Sequence, residues 1–69
     1  MRAIETGDFV RLRFIDIQDI LAIVLNTPQG AGDCYEFQEA LTGKIFSQNP
    51  YDCKFRGCDL ITKKQDLEV

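Results

Sequence analysis

Cys34, Cys53 and Cys58 are the side chains in this sequence best suited to act as nucleophiles or soft metal ligands. The run Cys53-Lys54-Phe55-Arg56-Gly57-Cys58 has the outline of half a metal site. Zinc takes four nitrogen or sulfur ligands, however, and the chain contains no histidine. No bound metal is therefore expected. Without histidine there is also no general base that titrates near neutrality. A cysteine nucleophile would need another activator, and the three thiols read as buried and inert. Carboxylates occur in pairs three apart, Asp16/Asp19 and Glu36/Glu39. Such a pair shares a helix face or points to opposite faces of a strand, and the simplest reading is a solvated surface. Gly30-Ala31-Gly32 is the one glycine-rich loop, but it lacks the lysine of the phosphate-binding pattern GxxxxGK[ST]. No catalytic residue and no cofactor are expected, and the chain does not read as an enzyme.

Two groups of cations offer a different chemistry. Arg11 and Arg13 are two apart, and Lys54, Phe55 and Arg56 interleave an aromatic ring with positive charge, as single-strand binders do. These five are the candidate nucleic-acid contacts. The formal net charge of −3 and an isoelectric point near 4.7 oppose that reading, because phosphate neutralisation dominates such affinity. Solubilising cations are the simpler account.

The elements that carry these residues must fit in 69 residues, of which 45% are hydrophobic and seven aromatic. That is one domain, residues 1–69, too apolar to be disordered and near the lower limit for a self-sufficient core. A core of this size supplies only about 3–5 kcal/mol, and small domains often add a disulfide, a metal or oligomerisation. An odd cysteine count, with no signal-peptide pattern at the start, fits a reducing cytoplasmic setting. No apolar run has the length of a membrane span. Oligomerisation is then the expected support. Charge is uneven along the chain. Residues 15–43 carry Asp16, Asp19, Asp33, Glu36 and Glu39 with no lysine or arginine, whereas the segments on either side are each net +1. The bland reading is an acidic solvated face; the sharper one is steering between neighbouring subunits.

Gly, Pro, Asn and Asp clusters at 6–8, 26–33, 42–43 and 49–52 cut the chain into pieces of strand length. In Phe9–Phe14, Val10, Leu12 and Phe14 point one way and Arg11 and Arg13 the other, the period of a half-buried strand. Asp19–Asn26 is the second piece, Cys34–Gln38 the third and Lys44–Gln48 the fourth. A short last strand is expected around Leu60-Ile61-Thr62, and the polar tail from Lys63 to Val69 is expected to fray. Two helices compete with this scheme: one over 16–25 with Asp16 as N-cap, and one over 34–41 opened by a capping box at Asp33–Glu36. Crowded β-branched residues, Ile17, Ile20, Ile23 and Val24, argue for strand over the first.

The second strand raises a further question. Ile20 through Leu25 are six consecutive apolar residues. In a strand, Ile20, Ala22 and Val24 face one way and Leu21, Ile23 and Leu25 the other, and one core can take one set. The other set, Leu21, Ile23 and Leu25, is the candidate self-association face. Met1, Ala3, Ile4, Leu67 and Val69 are the apolar residues left to shield part of it.

The opening Gly7-Asp8-Phe9-Val10-Arg11-Leu12 resembles the first strand of SH3-like barrels, KOW-type modules among them, and Asp59-Leu60-Ile61 after a tight turn is similar to their last strand. Sm-like barrels, which pair strands between subunits into rings, are a related family. The glycine that KOW modules place soon after the first strand is missing, as are the aromatic and acidic groove of peptide-binding SH3 domains and the Sm signature Asp-x-x-Met-Asn. No binding site is therefore carried over. The brevity of the chain is also similar to that of small bacteriophage accessory proteins. The expectation is an all-β, five-stranded SH3-like barrel with room for one short helix, α+β being the alternative. Its function is expected to be non-enzymatic: a self-associating binding or scaffolding module, a homo-oligomer with scope for a protein partner and no membrane. The alternatives are a nucleic-acid-binding barrel and a phage inhibitor or sequestrant acting on a host protein or small molecule.

Overall fold

The computed structural model describes residues 4–64. It contains five strands: β1 (Phe9–Phe14), β2 (Ile20–Asn26), β3 (Tyr35–Glu39), β4 (Ile45–Gln48) and β5 (Phe55–Thr62). They form one antiparallel sheet in the order β4-β3-β2-β1-β5. β1 to β4 are a meander, and β5 returns to the free side of β1. The fold is all-β, and both contested segments are strands. Phe37 lies between Val24 on β2 and Phe46 on β4. Pairing on both sides gives that segment more partners than a helix of two turns, marginal by itself, would find.

The alternation in β1 is realised. Val10 and Leu12 are fully buried, Arg11 and Arg13 are exposed, and Phe14 is half-buried. On β2, Ala22 and Val24 go inward and Leu21 is exposed. With Phe37 these residues make the core, and Ile4, Phe14, Ile20, Tyr35, Phe46, Phe55, Cys58 and Leu60 pack around it. Ile4 thus packs against the inner core. Met1, Ala3, Leu67 and Val69 lie outside the described residues.

β5 corrects one expectation, since it begins at Phe55 and runs eight residues. Two register shifts against β1, one at Arg56 and one at Ile61, interrupt its alternation, so the period of two that marks a strand is blurred at both ends. Gly57 sits opposite Arg13 at a φ of +130°, a conformation side-chain-bearing residues avoid.

No strand pairing closes the sheet into a barrel among the described residues, where β4 and β5 are its two edges. Aromatic rings bridge the gap instead. Phe14 and Phe55 lie 5.5 Å apart, Phe55 and Tyr35 6.5 Å, Tyr35 and Phe37 5.2 Å, and Phe37 and Phe46 5.8 Å. Since β3 and β5 are separated by two strands in the sheet, the Tyr35–Phe55 contact requires the sheet to curl over its core. Each such ring pair contributes about 0.5–1.5 kcal/mol beyond burial. Replacing Leu12 with Ala should cost about 2–5 kcal/mol through the cavity it leaves. Replacing Arg13, whose pairing is at the surface, should cost about 0.2–1 kcal/mol. Urea unfolding of the two variants checks the strand register, and equal losses would contradict it.

Candidate functional site

Asp8 carries the most constrained polar group among the described residues. It is 1% exposed and Lys63, facing it, 6%. Gly7 turns the chain into β1 at a φ of +95°; its N–H donates to the Val24 carbonyl at 2.7 Å, and the Val24 N–H returns to the Asp8 carbonyl at 2.9 Å. The Asp8 carboxylate then accepts from the Glu5 N–H at 2.8 Å, the Lys63 ammonium at 2.8 Å and the Lys64 N–H at 3.0 Å. Lys63 also donates to Glu5 at 3.0 Å. Lys63 was expected in a fraying tail; antiparallel pairing of Phe9 with Thr62 instead sets it beside Asp8.

The electrostatics follow from that geometry. Burial alone would raise the Asp8 pKa, but the bonds from Lys63 and from the Lys64 and Glu5 backbones outweigh it and hold the carboxyl below its ordinary 3.8. The hydrogen bond to Asp8 raises Lys63 above 10.5 against the opposing effect of burial, and Glu5 adds to the rise. Near neutrality both groups stay charged, so the pair is a structural clasp and not an acid–base device. A depressed carboxyl contributes stability above its unfolded pKa, lost as pH falls through the folded one; a raised ammonium contributes below its unfolded pKa, lost as pH rises through the folded one. Melting temperature should therefore fall at both extremes, below 3.8 and above 10.5. An Asp8→Asn variant should melt lower near neutrality and lose much of the acid decline in thermal scans across pH.

The fold sets the end of β1 beside the start of β5, with Arg13 opposite Gly57 and Phe14 opposite Phe55, so several of the candidate nucleic-acid contacts are neighbours, but most of their charges already have carboxylate partners. Arg11 and Arg13 do share the exposed face of β1, but each has a carboxylate beside it: Arg13 lies 2.8 Å from Asp59 and Arg11 3.9 Å from Asp19. Lys54 pairs with Asp16 at 3.1 Å. Phe55 packs against Phe14 and Tyr35, so it is not an open stacking platform between Lys54 and Arg56. Arg56 is exposed on β5.

The remaining chemistry is modest. Gly30–Asp33 closes on itself through the Asp33 N–H to the Gly30 carbonyl at 3.2 Å and leads into a strand, leaving no helix end to hold a phosphate. Among the described residues no group of three or more Cys, Asp or Glu is placed to hold a metal. All three cysteines are free, and the expectation that they are buried is corrected: Cys53 lies exposed in the β4–β5 connection, while Cys34 and Cys58 are half-buried. Burial first, and then Asp59, pushes the Cys58 thiol up against the opposing effect of Arg13. Thiolate is the reactive form. Titration of the native protein with a disulfide reagent should show Cys53 fast and Cys58 slow, and Cys53→Ser should remove the fast phase.

The outer face of the sheet is more distinctive. Phe9 pairs with Ile23, Ile23 with Gln38 and Gln38 with Ile45, which makes a row across four strands that is apolar but for Gln38. Ile45 is 59% exposed, and Leu21 and Ile61 on the same side are 45% and 46%. Of the expected face, Leu21 is exposed while Ile23 and Leu25 are half-buried, Leu25 lying where the β2–β3 register shifts. Sequence reasoning missed Phe9, Ile45 and Ile61. Phe9 was legible as the next member of the Arg11/Arg13 alternation; Ile45 and Ile61 needed the cross-strand register. No family model matches the chain, and no curated protein or solved structure matches it. Among the described residues no helix is long and apolar enough to cross a membrane.

Proposed function

We propose that this chain is a non-enzymatic scaffolding module of the SH3-like or Sm-like kind that associates with copies of itself through the outer face of its sheet. The observation that carries the reading is the row Phe9–Ile23–Gln38–Ile45 with Leu21 and Ile61 beside it. Fully burying a large aliphatic side chain is worth about 1.5–3 kcal/mol, and three on this face remain half in water. A contiguous patch of this kind marks an interaction site. Both arginines on the same face have carboxylates beside them, Arg11 near Asp19 and Arg13 with Asp59, which lowers the cost of pressing two such faces together. The meander with a returning β5 supports the barrel resemblance, and the three free thiols fit a reducing cytoplasm.

Multi-angle light scattering at high micromolar concentration should give a mass above the 7.9 kDa of one chain. Leu21→Thr with Ile23→Lys should give a folded species of lower mass. Ile45→Lys, at a more exposed position, should do the same without threatening the core. A monomeric wild type would overturn the reading.

A further inference from the structure

A groove of about 560 Å³ opens at one end of the sheet, between the residues leading into β2 (Gln18 to Leu21) and the turn after β3 (Glu39 to Leu41). Its volume lies within the ~300–1,000 Å³ usual for binding clefts. The floor is fixed by the Ala40 N–H, which donates to the Leu21 carbonyl at 2.9 Å. Leu41 forms one wall and is 93% exposed, the most exposed of the large hydrophobic residues. It is nonetheless held by a well-tied turn: the Gly43 N–H donates to the Glu39 carbonyl at 2.8 Å and the Thr42 hydroxyl to the Glu39 carboxylate at 2.7 Å. Leu21 lines the groove as well and is 45% exposed. Two exposed leucines, one of them presented by a hydrogen-bonded turn, leave apolar surface in the groove open to water.

Charge decides what kind of partner fits. Asp19 and Glu39 line the groove and no lysine or arginine does. Asp19 has Arg11 only at 3.9 Å, and Glu39 has a neutral hydroxyl as its side-chain partner. Two copies meeting groove to groove about a two-fold axis would bring four carboxylates together, an arrangement like charges oppose. The groove shares Leu21 and Asp19 with the outer face and differs from it in Leu41 and in Glu39, which has no cation beside it. We infer that the groove between Leu21 and Leu41 docks a short apolar peptide segment carrying lysine or arginine, its aliphatic side chain between the two leucines and its cation against Asp19 and Glu39.

The probe is the acetylated peptide amide Leu-Lys-Leu-Leu-Lys, titrated into the isotope-labelled full chain and followed by amide chemical shifts. Saturable shifts should concentrate on 18–21 and 39–41. Affinity should fall at least roughly ten-fold with Leu41→Ser, a fully exposed position that should not disturb the fold, and also with Asp19→Asn combined with Glu39→Gln. The matching Leu-Glu-Leu-Leu-Glu peptide should bind at least roughly ten-fold more weakly, by a margin that shrinks with salt. The mass by light scattering should be the same for Leu41→Ser as for wild type, which separates this site from the self-association face. Absence of saturation at millimolar peptide, shifts centred on Ile23 and Ile45, equal binding of the acidic peptide, or a drop in mass with Leu41→Ser would each overturn the inference.

Discussion

The Asp8 carboxylate is the constraint from which the rest of the arrangement follows. A charge removed from water is tolerable only when paired and fully hydrogen-bonded, and its partners come from both ends of the described chain. Glu5 supplies a backbone N–H from three residues before, while Lys63 and Lys64 supply an ammonium and an N–H from more than fifty residues after. Meeting those demands fixes where β1 starts, where β5 stops and how the two register. The tight turn at Gly7 is part of the same requirement: a side chain there would press to 2.6 Å from the Lys64 stem, besides straining the backbone. In a domain with so little core, a contact that ties both ends of the chain matters more than its surface counterparts, which are screened and weak.

The sheet thus anchored must still bend over a core that has, among the described residues, five fully buried apolar side chains. The run of rings from Phe14 through Phe55, Tyr35 and Phe37 to Phe46 brings β3 and β5, which do not pair, together through the Tyr35–Phe55 contact. Among the described residues β4 and β5 are the edges of the sheet, and Leu21, Ile45 and Ile61 are left exposed. What is unfinished about the fold among the described residues, edges without a pairing strand and an apolar outer row, is also what offers a surface to others. The two features have one source: too few residues to cover every face they create.

The acidic middle of the sequence is divided by the fold. Asp16 and Asp19 are set against Lys54 and Arg11 from neighbouring elements, which neutralises part of the outer face. Asp33 and Glu36 have no ion pair among the described residues, and Glu39 faces the groove beside Asp19. One charge cluster in sequence is therefore split in space between carboxylates set beside cations and carboxylates that are not, Glu39 in the groove among the latter. The distinction between a face that tolerates a second copy and a groove that prefers a cation exists only after folding.

The local pattern determined a good deal without help. The alternation of Phe9–Phe14, the two-sided apolarity of Ile20–Leu25 and the turn clusters between them specify strands, because a period of two and a glycine at positive φ are properties of a few adjacent residues. The exposure of Arg11, Arg13 and Leu21 follows from the same rule. Tertiary structure decided everything that depends on who pairs with whom. The early start of β5 was hidden by two register shifts that scramble its alternation. Phe55, flanked by cations in sequence, turned inward because Phe14 and Tyr35 await it across the sheet. Lys63, polar and near the chain end, became buried because its antiparallel neighbour precedes Phe9. A strand's faces are written in its own residues, whereas its partners, its bulges and the burial of its charges are set by chain segments as much as 58 positions away.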